Sequence, residues 1–186
     1  MRKTIQKYFL ISVGVFIVGL LFGVWKAFIN AAQAEETIAT LSESFSFLKD
    51  LPIGMLALLI FANNVLKTFI VLVGGIIFGI IPLVFLFSNG YILGVVGTHV
   101  VQKESLSRIV FGLLPHGVIE LFAFFLATSY GLWLGSRFLQ KIQHREPLRP
   151  HVKDALIVFL RVIVPLLFVA ALIETFVTPH FMGVRF

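Results

Sequence analysis

The sequence predicts an all-α fold, a polytopic membrane helix bundle with about five transmembrane helices, in one integral membrane domain over residues 1–186. Hydrophobic residues make up 59% of the chain and charged residues only 13%, whereas a soluble domain has about 25% charged residues. The mean hydropathy is +1.02. So little charge cannot cover a water-facing globule, and most of the chain must therefore face lipid or other helices.

Five windows are long and apolar enough to cross a membrane, because about 20 helical residues span its hydrocarbon core. They are residues 8–29, 51–73, 75–100, 109–134 and 155–177. The first exceeds the 7–15 residues of a typical signal-peptide core, so we expect an uncleaved first span. The second and third windows nearly touch at Gly74-Gly75, which is typical of a tight turn or of a re-entrant segment.

Charge placement predicts the orientation. Basic residues cluster at the N-terminus and in the loop after the fourth window, and the loop after the first window is acidic. The basic residues are Arg2, Lys3, Lys7, Arg137, Lys141, Arg145, Arg149 and Lys153. Five crossings bring both basic regions to one side, which the positive-inside rule assigns to the cytoplasm. We expect a multi-pass protein of the cell membrane, with its N-terminus cytoplasmic and its C-terminus outside.

The acidic loop contains a predicted interfacial helix over residues 35–49. Its apolar residues, Ile38, Leu41, Phe45 and Leu48, recur at helical spacing, with Glu and Ser on the opposite face. The segment is either a solvated loop or a membrane-surface helix that presents a partner-binding face.

Glycine pairs at four-residue spacing are candidate helix-packing sites, because they allow two helix backbones to approach closely. The pairs are Gly19/Gly23, Gly75/Gly79, Gly90/Gly94 and Gly131/Gly135. They either pack helices within the chain or form an interface with a partner or a second copy.

Polar side chains inside the windows form a candidate intramembrane network. The residues are Asn63, Asn64, Lys67, Asn89, His116, Glu120, Arg161 and Glu174. A charge at the bilayer centre costs about 3 kcal/mol or more, so such groups are expected to pair or to line a wet cavity. From the approximate depths of these residues in the membrane, the contact that we expect most is one between Glu120 and Arg161.

His116 and Glu120 are four residues apart and share a helix face. They are interpreted as a structural polar knot, as a proton or ion path, or as part of a metal site with His99 and Glu174 as further ligands. Pro115 removes a helix hydrogen bond beside them and should kink the helix. No third ligand is set by spacing, so no metal or cofactor is predicted.

The chain has no cysteine, and it contains neither a phosphate-binding Gly-Lys loop nor a Gly-x-Ser-x-Gly elbow. We therefore expect no enzymatic activity. The net charge of +6 comes from basic residues at segment ends, which reports membrane orientation rather than nucleic-acid binding.

Four segments occur in an order that resembles a known family. They are Phe61-Ala62-Asn63-Asn64, Ser88-Asn89-Gly90-Tyr91-Ile92-Leu93-Gly94, Leu113-Leu114-Pro115-His116-Gly117-Val118-Ile119-Glu120-Leu121 and Ile173-Glu174-Thr175-Phe176-Val177-Thr178-Pro179. The pattern resembles the stage II sporulation protein M family, whose polar positions match Asn64, Asn89, Gly90, His116, Glu120 and Glu174. The resemblance implies a compact multi-span protein without catalysis. For endospore formers, the resemblance implies a membrane anchor that works with peptidoglycan-degrading partners. Relatives of this family also occur in bacteria and archaea that never sporulate.

Two functions remain open at this point. The first is a non-catalytic membrane scaffold that recruits membrane or cell-envelope partners, in contact with the lipid bilayer and with other membrane proteins or a second copy. The alternative is a small transporter or channel with an intramembrane polar site at His116 and Glu120.

Overall fold

The structure, a computed structural model, describes residues 2–44, 51–103, 106–144 and 146–178, and all regular secondary structure in these ranges is helical. The first five helices are α1 (Arg2–Ile29), α2 (Ala31–Ser44), α3 (Ile53–Gly74), α4 (Ile80–Lys103) and α5 (Leu106–His144). Residues 149–177 form one composite helix, the last span. It consists of α6 (Arg149–Val158), a π-helical turn (Phe159–Ile163), α7 (Val164–Leu172) and a second π-helical turn (Ile173–Val177).

Among the described residues, five helices are long and apolar enough to cross a membrane. They are Lys3–Ile29, Ile53–Gly74, Ile80–Gln102, Leu114–His144 and Arg149–Val177. The predicted fold class is therefore confirmed. The third span begins later than predicted, because residues 75–79 form the turn that joins α3 to α4. Since α3 has 22 residues and α4 has 24, each is long enough for a full span, which favours two spans over a re-entrant segment.

Helix α5 is the central helix of the bundle. Half of its most apolar stretch is buried inside the protein, against 22–28% for the other four spans, because α1, α3, α4 and α7 all pack on it. With 39 residues it is about 58 Å long, longer than the membrane is thick. It is helical through Pro115, so the proline does not end the helix there.

Two of the glycine pairs join α1 to α4. A Cβ on Gly23 would lie 2.1 Å from the Tyr91 carbonyl oxygen, and a Cβ on Gly90 would lie 2.3 Å from that of Phe16. Gly19 meets Phe87 and Gly94 meets Leu20 in the same way. Residue numbers at these contacts increase together along α1 and α4. The two helices therefore run parallel with their backbones in contact.

The other two glycine pairs join the α3–α4 turn to α5. A Cβ on Gly75 would lie 2.1 Å from the carbonyl oxygen of Gly131, and a Cβ on Gly135 would lie 2.6 Å from that of Gly75. Gly79 has φ +74°, a left-handed conformation that glycine adopts without strain. All four pairs thus lie at contacts inside one chain.

Several of the positively charged residues of the described chain gather at one end of the bundle, here called the basic end. Ile5 and Tyr8 of α1 pack against the core cluster that contains Trp133 of α5 and Ala155 of α6. The start of α1, the end of α5 and the start of α6 are therefore neighbours. The exposed basic side chains there are Lys3, Lys7, Lys141, Arg149 and Lys153.

Helix α2 begins at Ala31, before the predicted start at residue 35, because Asn30 caps it. The Gln33 backbone N–H donates to Asn30 Oδ1 at 3.2 Å, and Asn30 Nδ2 donates to Gln33 Oε1 at 3.4 Å. Ala34 is buried against Ala27 of α1 and Val95 of α4, while Glu36 is exposed. The predicted apolar residues Phe45 and Leu48 lie outside the described residues.

Candidate intramembrane polar site

Glu120 of α5 is bonded to α3 through Asn64. The Asn64 side-chain Nδ2 donates a hydrogen bond to Glu120 Oε1, and Asn64 is buried. Asn63 is exposed, and its Nδ2 lies 3.5 Å from Asn64 Oδ1. Because α3 and α5 pack side by side from this level to the Gly75–Gly131 contact, this polar contact is part of a continuous helix interface.

Two further charged groups act on Glu120. Glu174 of the last span and Lys67 of α3 both interact with it electrostatically. Glu120 and Glu174 lie on helices that pack against each other, and Lys67, the only basic residue of α3, has an exposed side chain.

The expected contact between Glu120 and Arg161 is not formed; both residues are described, and no ion pair joins them. Glu174 marks the level of Glu120 on the last span, and Arg161 precedes Glu174 by about 20 Å along the helix axis. Arg161 is exposed on the outside of the bundle. The prediction failed because span boundaries read from sequence are too inaccurate to set the relative depth of two charges.

His116 lies one helical turn before Glu120 and is bonded to the last span. Its Nδ1 is 3.0 Å from Thr178 Oγ1, and His116 is buried. We call the four residues Asn64, His116, Glu120 and Thr178 the polar knot. Within it, α5 bonds to α3 through Glu120 and to the last span through His116, so three helices are joined at adjacent turns.

The last span carries each of its two charged intramembrane residues in a π-helical turn. Arg161 lies in the turn Phe159–Ile163 and Glu174 in the turn Ile173–Val177. A π-helical turn accommodates an extra residue and changes the direction of the side chains that follow, and such turns are frequent at functional sites. The second turn leads directly to Thr178 and so to the bond with His116.

A cavity of about 330 Å³ lies on the side of α5 that faces α1 and α4. Asn89, His116 and Glu120 are its polar lining residues, and the rest of its lining is apolar. Asn89 Nδ2 donates to the Phe85 carbonyl oxygen at 2.8 Å. The volume is sufficient for several water molecules, so the predicted residues His116, Glu120 and Asn89 meet at a common space.

The metal interpretation receives no support from the part of the chain that the structure describes. No group of three or more His, Asp or Glu side chains comes together there in an arrangement that could hold an ion.

Sequence reasoning missed the hydroxyl groups that join the helices. Thr128 Oγ1 donates to Ser12 Oγ at 3.1 Å, and Ser129 Oγ lies 3.5 Å from Ser12 Oγ; all three residues are fully buried between α1 and α5. Thr128 Oγ1 is also 2.8 Å from the Phe124 carbonyl oxygen. Because Ser and Thr in a helix can satisfy themselves on their own backbone, their occurrence in a span is a weak signal in the sequence.

These five apolar helices, closely packed by glycine contacts and bonded through buried polar side chains, define an all-helical membrane protein. The chain belongs to the stage II sporulation protein M family, whose model matches residues 12–179. This confirms the resemblance found in the sequence. The chain is also 31% identical over 124 residues to an uncharacterized protein of Methanocaldococcus jannaschii, a match that covers 64% of this chain and 69% of that protein. No solved structure matches the chain.

Proposed function

We propose that this protein is a non-catalytic scaffold of the cell membrane that recruits or organises membrane or cell-envelope partners. The observation that supports this best is the polar knot. The polar groups that would serve a transport path, Glu120 and His116, are bonded to α3 and to the last span. Bonds of this kind hold helices in one arrangement, which a scaffold requires.

Helix α2 is the proposed recruiting surface. The glycine pairs, which were the other candidate interface, contact one another within the chain. Helix α2 is anchored to the bundle by Ala34, and Glu36 is exposed to the surroundings. The partner class agrees with what the family resemblance implies, namely membrane-anchored or envelope-remodelling proteins. The proposal involves no cofactor.

The scaffold needs a defined orientation, and we propose that the basic end is cytoplasmic and α2 external. The chain has no cysteine, so single cysteines can be placed at Lys141 and Glu36 without a background signal. A membrane-impermeant maleimide added to intact cells should label Glu36→Cys and spare Lys141→Cys, and both should react after permeabilisation. If only Lys141→Cys is labelled in intact cells, the protein has the opposite orientation and the proposed one is wrong.

A second function, a small transporter or channel, is favoured by the 330 Å³ cavity that Asn89, His116 and Glu120 line. Polar side chains that line a cavity in a membrane protein can hold water and the ion or proton that follows it.

The two functions are separated by stability and flux assays on purified protein in liposomes, with protein-free liposomes as the control. The scaffold predicts no ion or proton flux above the control for the wild type, and a lower unfolding temperature for His116→Ala and Glu120→Leu. If both variants keep the wild-type unfolding temperature and abolish a flux that the wild type shows, the scaffold proposal is wrong.

A further inference from the structure

An open groove of about 1080 Å³ lies at the basic end, between the last turns of α5 and helix α6. One part of its lining is cationic and comprises Lys141, Arg149 and Lys153. Another part is aliphatic and comprises Leu156, Ile157 and Leu160. The polar knot and its cavity are formed by other residues, so this groove is a separate feature of the molecule.

The cationic part of the groove is not neutralised by the described chain. None of the described acidic residues lines the groove, and none forms an ion pair with its three basic side chains. The nearby Glu146 instead has its carboxylate oxygen 4.0 Å from Arg137 Nη1. The positive charge of the groove is therefore available to an anion from outside the chain.

The aliphatic part of the groove continues along the last span, which begins at Arg149. Ile157 and Leu160 are 38% and 65% exposed, and they follow Arg149 by about two to three helical turns and Lys153 by about one to two. Cationic groups at the end of a span, with exposed aliphatic side chains directly below them, match the order of charge and hydrocarbon in a phospholipid.

The walls of the groove are held in place by packing. The rings of Trp133 on α5 and His151 on α6 have their centroids 5.1 Å apart at 76°. Arg137 lies 5.8 Å above the Trp133 ring, and Ala155 of α6 is fully buried in the core. Helix α6 is thus fixed to α5, and the groove exists before any ligand enters it.

We propose that this groove binds one anionic phospholipid. Its phosphate lies against Lys141, Arg149 and Lys153, and an acyl chain follows Leu156, Ile157 and Leu160. Basic pockets beside membrane spans bind anionic headgroups in this way. A free phosphate would leave the aliphatic part of the groove without a partner, so the lipid fits both halves of the lining and the free anion only one.

The test measures lipid retention by the full-length protein in detergent, by native mass spectrometry, over a titration with phosphatidylglycerol or phosphatidylcholine. The double variant Lys141→Gln/Lys153→Gln removes two groove charges. The double variant Lys3→Gln/Lys7→Gln removes two exposed charges from α1 at the same end and is the matched control. We expect the wild type to prefer phosphatidylglycerol. The groove variant should need about tenfold more of it for half occupancy, and the control variant less than twofold more.

Three results would overturn the proposal. Equal loss in the two double variants would mean that the basic end attracts anionic lipid without a site. Equal retention of both lipids by the wild type would mean that the groove does not recognise the negative charge of the headgroup. Displacement of bound lipid by millimolar inorganic phosphate would mean that the groove binds a free anion. The unfolding temperature of each variant, measured in the same detergent, controls for loss of the fold.

Discussion

Replacing Gly94 by alanine should destabilise the protein by about 2–3 kcal/mol. The new Cβ would lie 2.3 Å from the Leu20 carbonyl oxygen and 2.8 Å from the Val24 backbone nitrogen. Both are backbone atoms of α1, which cannot rotate away, so α1 and α4 would have to separate. Separation removes the dispersion contacts between the two helices. In lipid these contacts hold helices together, because the hydrophobic effect does not drive helix association there. Reversible unfolding in mixed micelles measures the change.

Gly97→Ala is the matched control for Gly94→Ala, because it lies on the same helix and has no atom within 4 Å of the new Cβ. Alanine is the better helix former by about 1 kcal/mol, so this variant should be neutral or slightly more stable. Gly23→Ala and Gly14→Ala provide the same comparison on α1, since Gly14 is open and Gly23 touches Tyr91. Equal effects of the contact and open glycines would contradict the close packing of α1 and α4.

The second large effect is expected at the polar knot. Asn64→Leu should destabilise the protein by about 2 kcal/mol, because the half-buried Glu120 then loses its hydrogen-bond donor. Glu120→Leu should have a similar cost, since it leaves the Asn64 amide unpaired. The double variant should cost less than the sum of the two by about 1–2 kcal/mol, because a pair of apolar residues leaves nothing unsatisfied. Unfolding in the same micelles gives the three values of this cycle.

Asn63→Leu is the control for this cycle. Asn63 is adjacent to Asn64 but exposed, so its replacement should change the unfolding free energy by no more than about 0.5 kcal/mol. Strict additivity of Asn64→Leu and Glu120→Leu would show that the two side chains do not act on each other, and the polar knot would then lose its role in holding α3 to α5.

The sequence analysis named His116 and Glu120 as intramembrane polar residues that need partners, and it expected Arg161 as the partner of Glu120. His116 and Glu120 were chosen because polar groups in lipid must find partners. Their partners turned out to be Thr178 and Asn64. Thr178 was overlooked because a hydroxyl near the end of a span carries little signal by itself. Arg161 was chosen for its charge, but its depth and its direction depend on the packing of the last span, including a π-helical turn that no sequence pattern marked.

For the glycine pairs too, the sequence predicted the kind of contact and the structure showed which residues make it. Their four-residue spacing predicted close helix contacts, yet it could not decide between a contact inside the chain and one with a partner. The structure joins Gly19/Gly23 to Gly90/Gly94 and Gly75/Gly79 to Gly131/Gly135. This pairing depends on the order and rotation of the helices, which are not local properties.

The sequence by itself determined that this protein is a bundle of five apolar helices, that a cluster of basic residues lies at the ends of some of them, and to which family it belongs. These are local properties, because a helix in lipid satisfies its own backbone and needs only enough apolar residues in succession. Only the tertiary structure decided that α5 is central, that α1 lies parallel to α4 and that Glu120 meets Asn64. Those outcomes rest on contacts between residues far apart in the chain, and they are decided by which helix faces fit closely enough to exclude lipid.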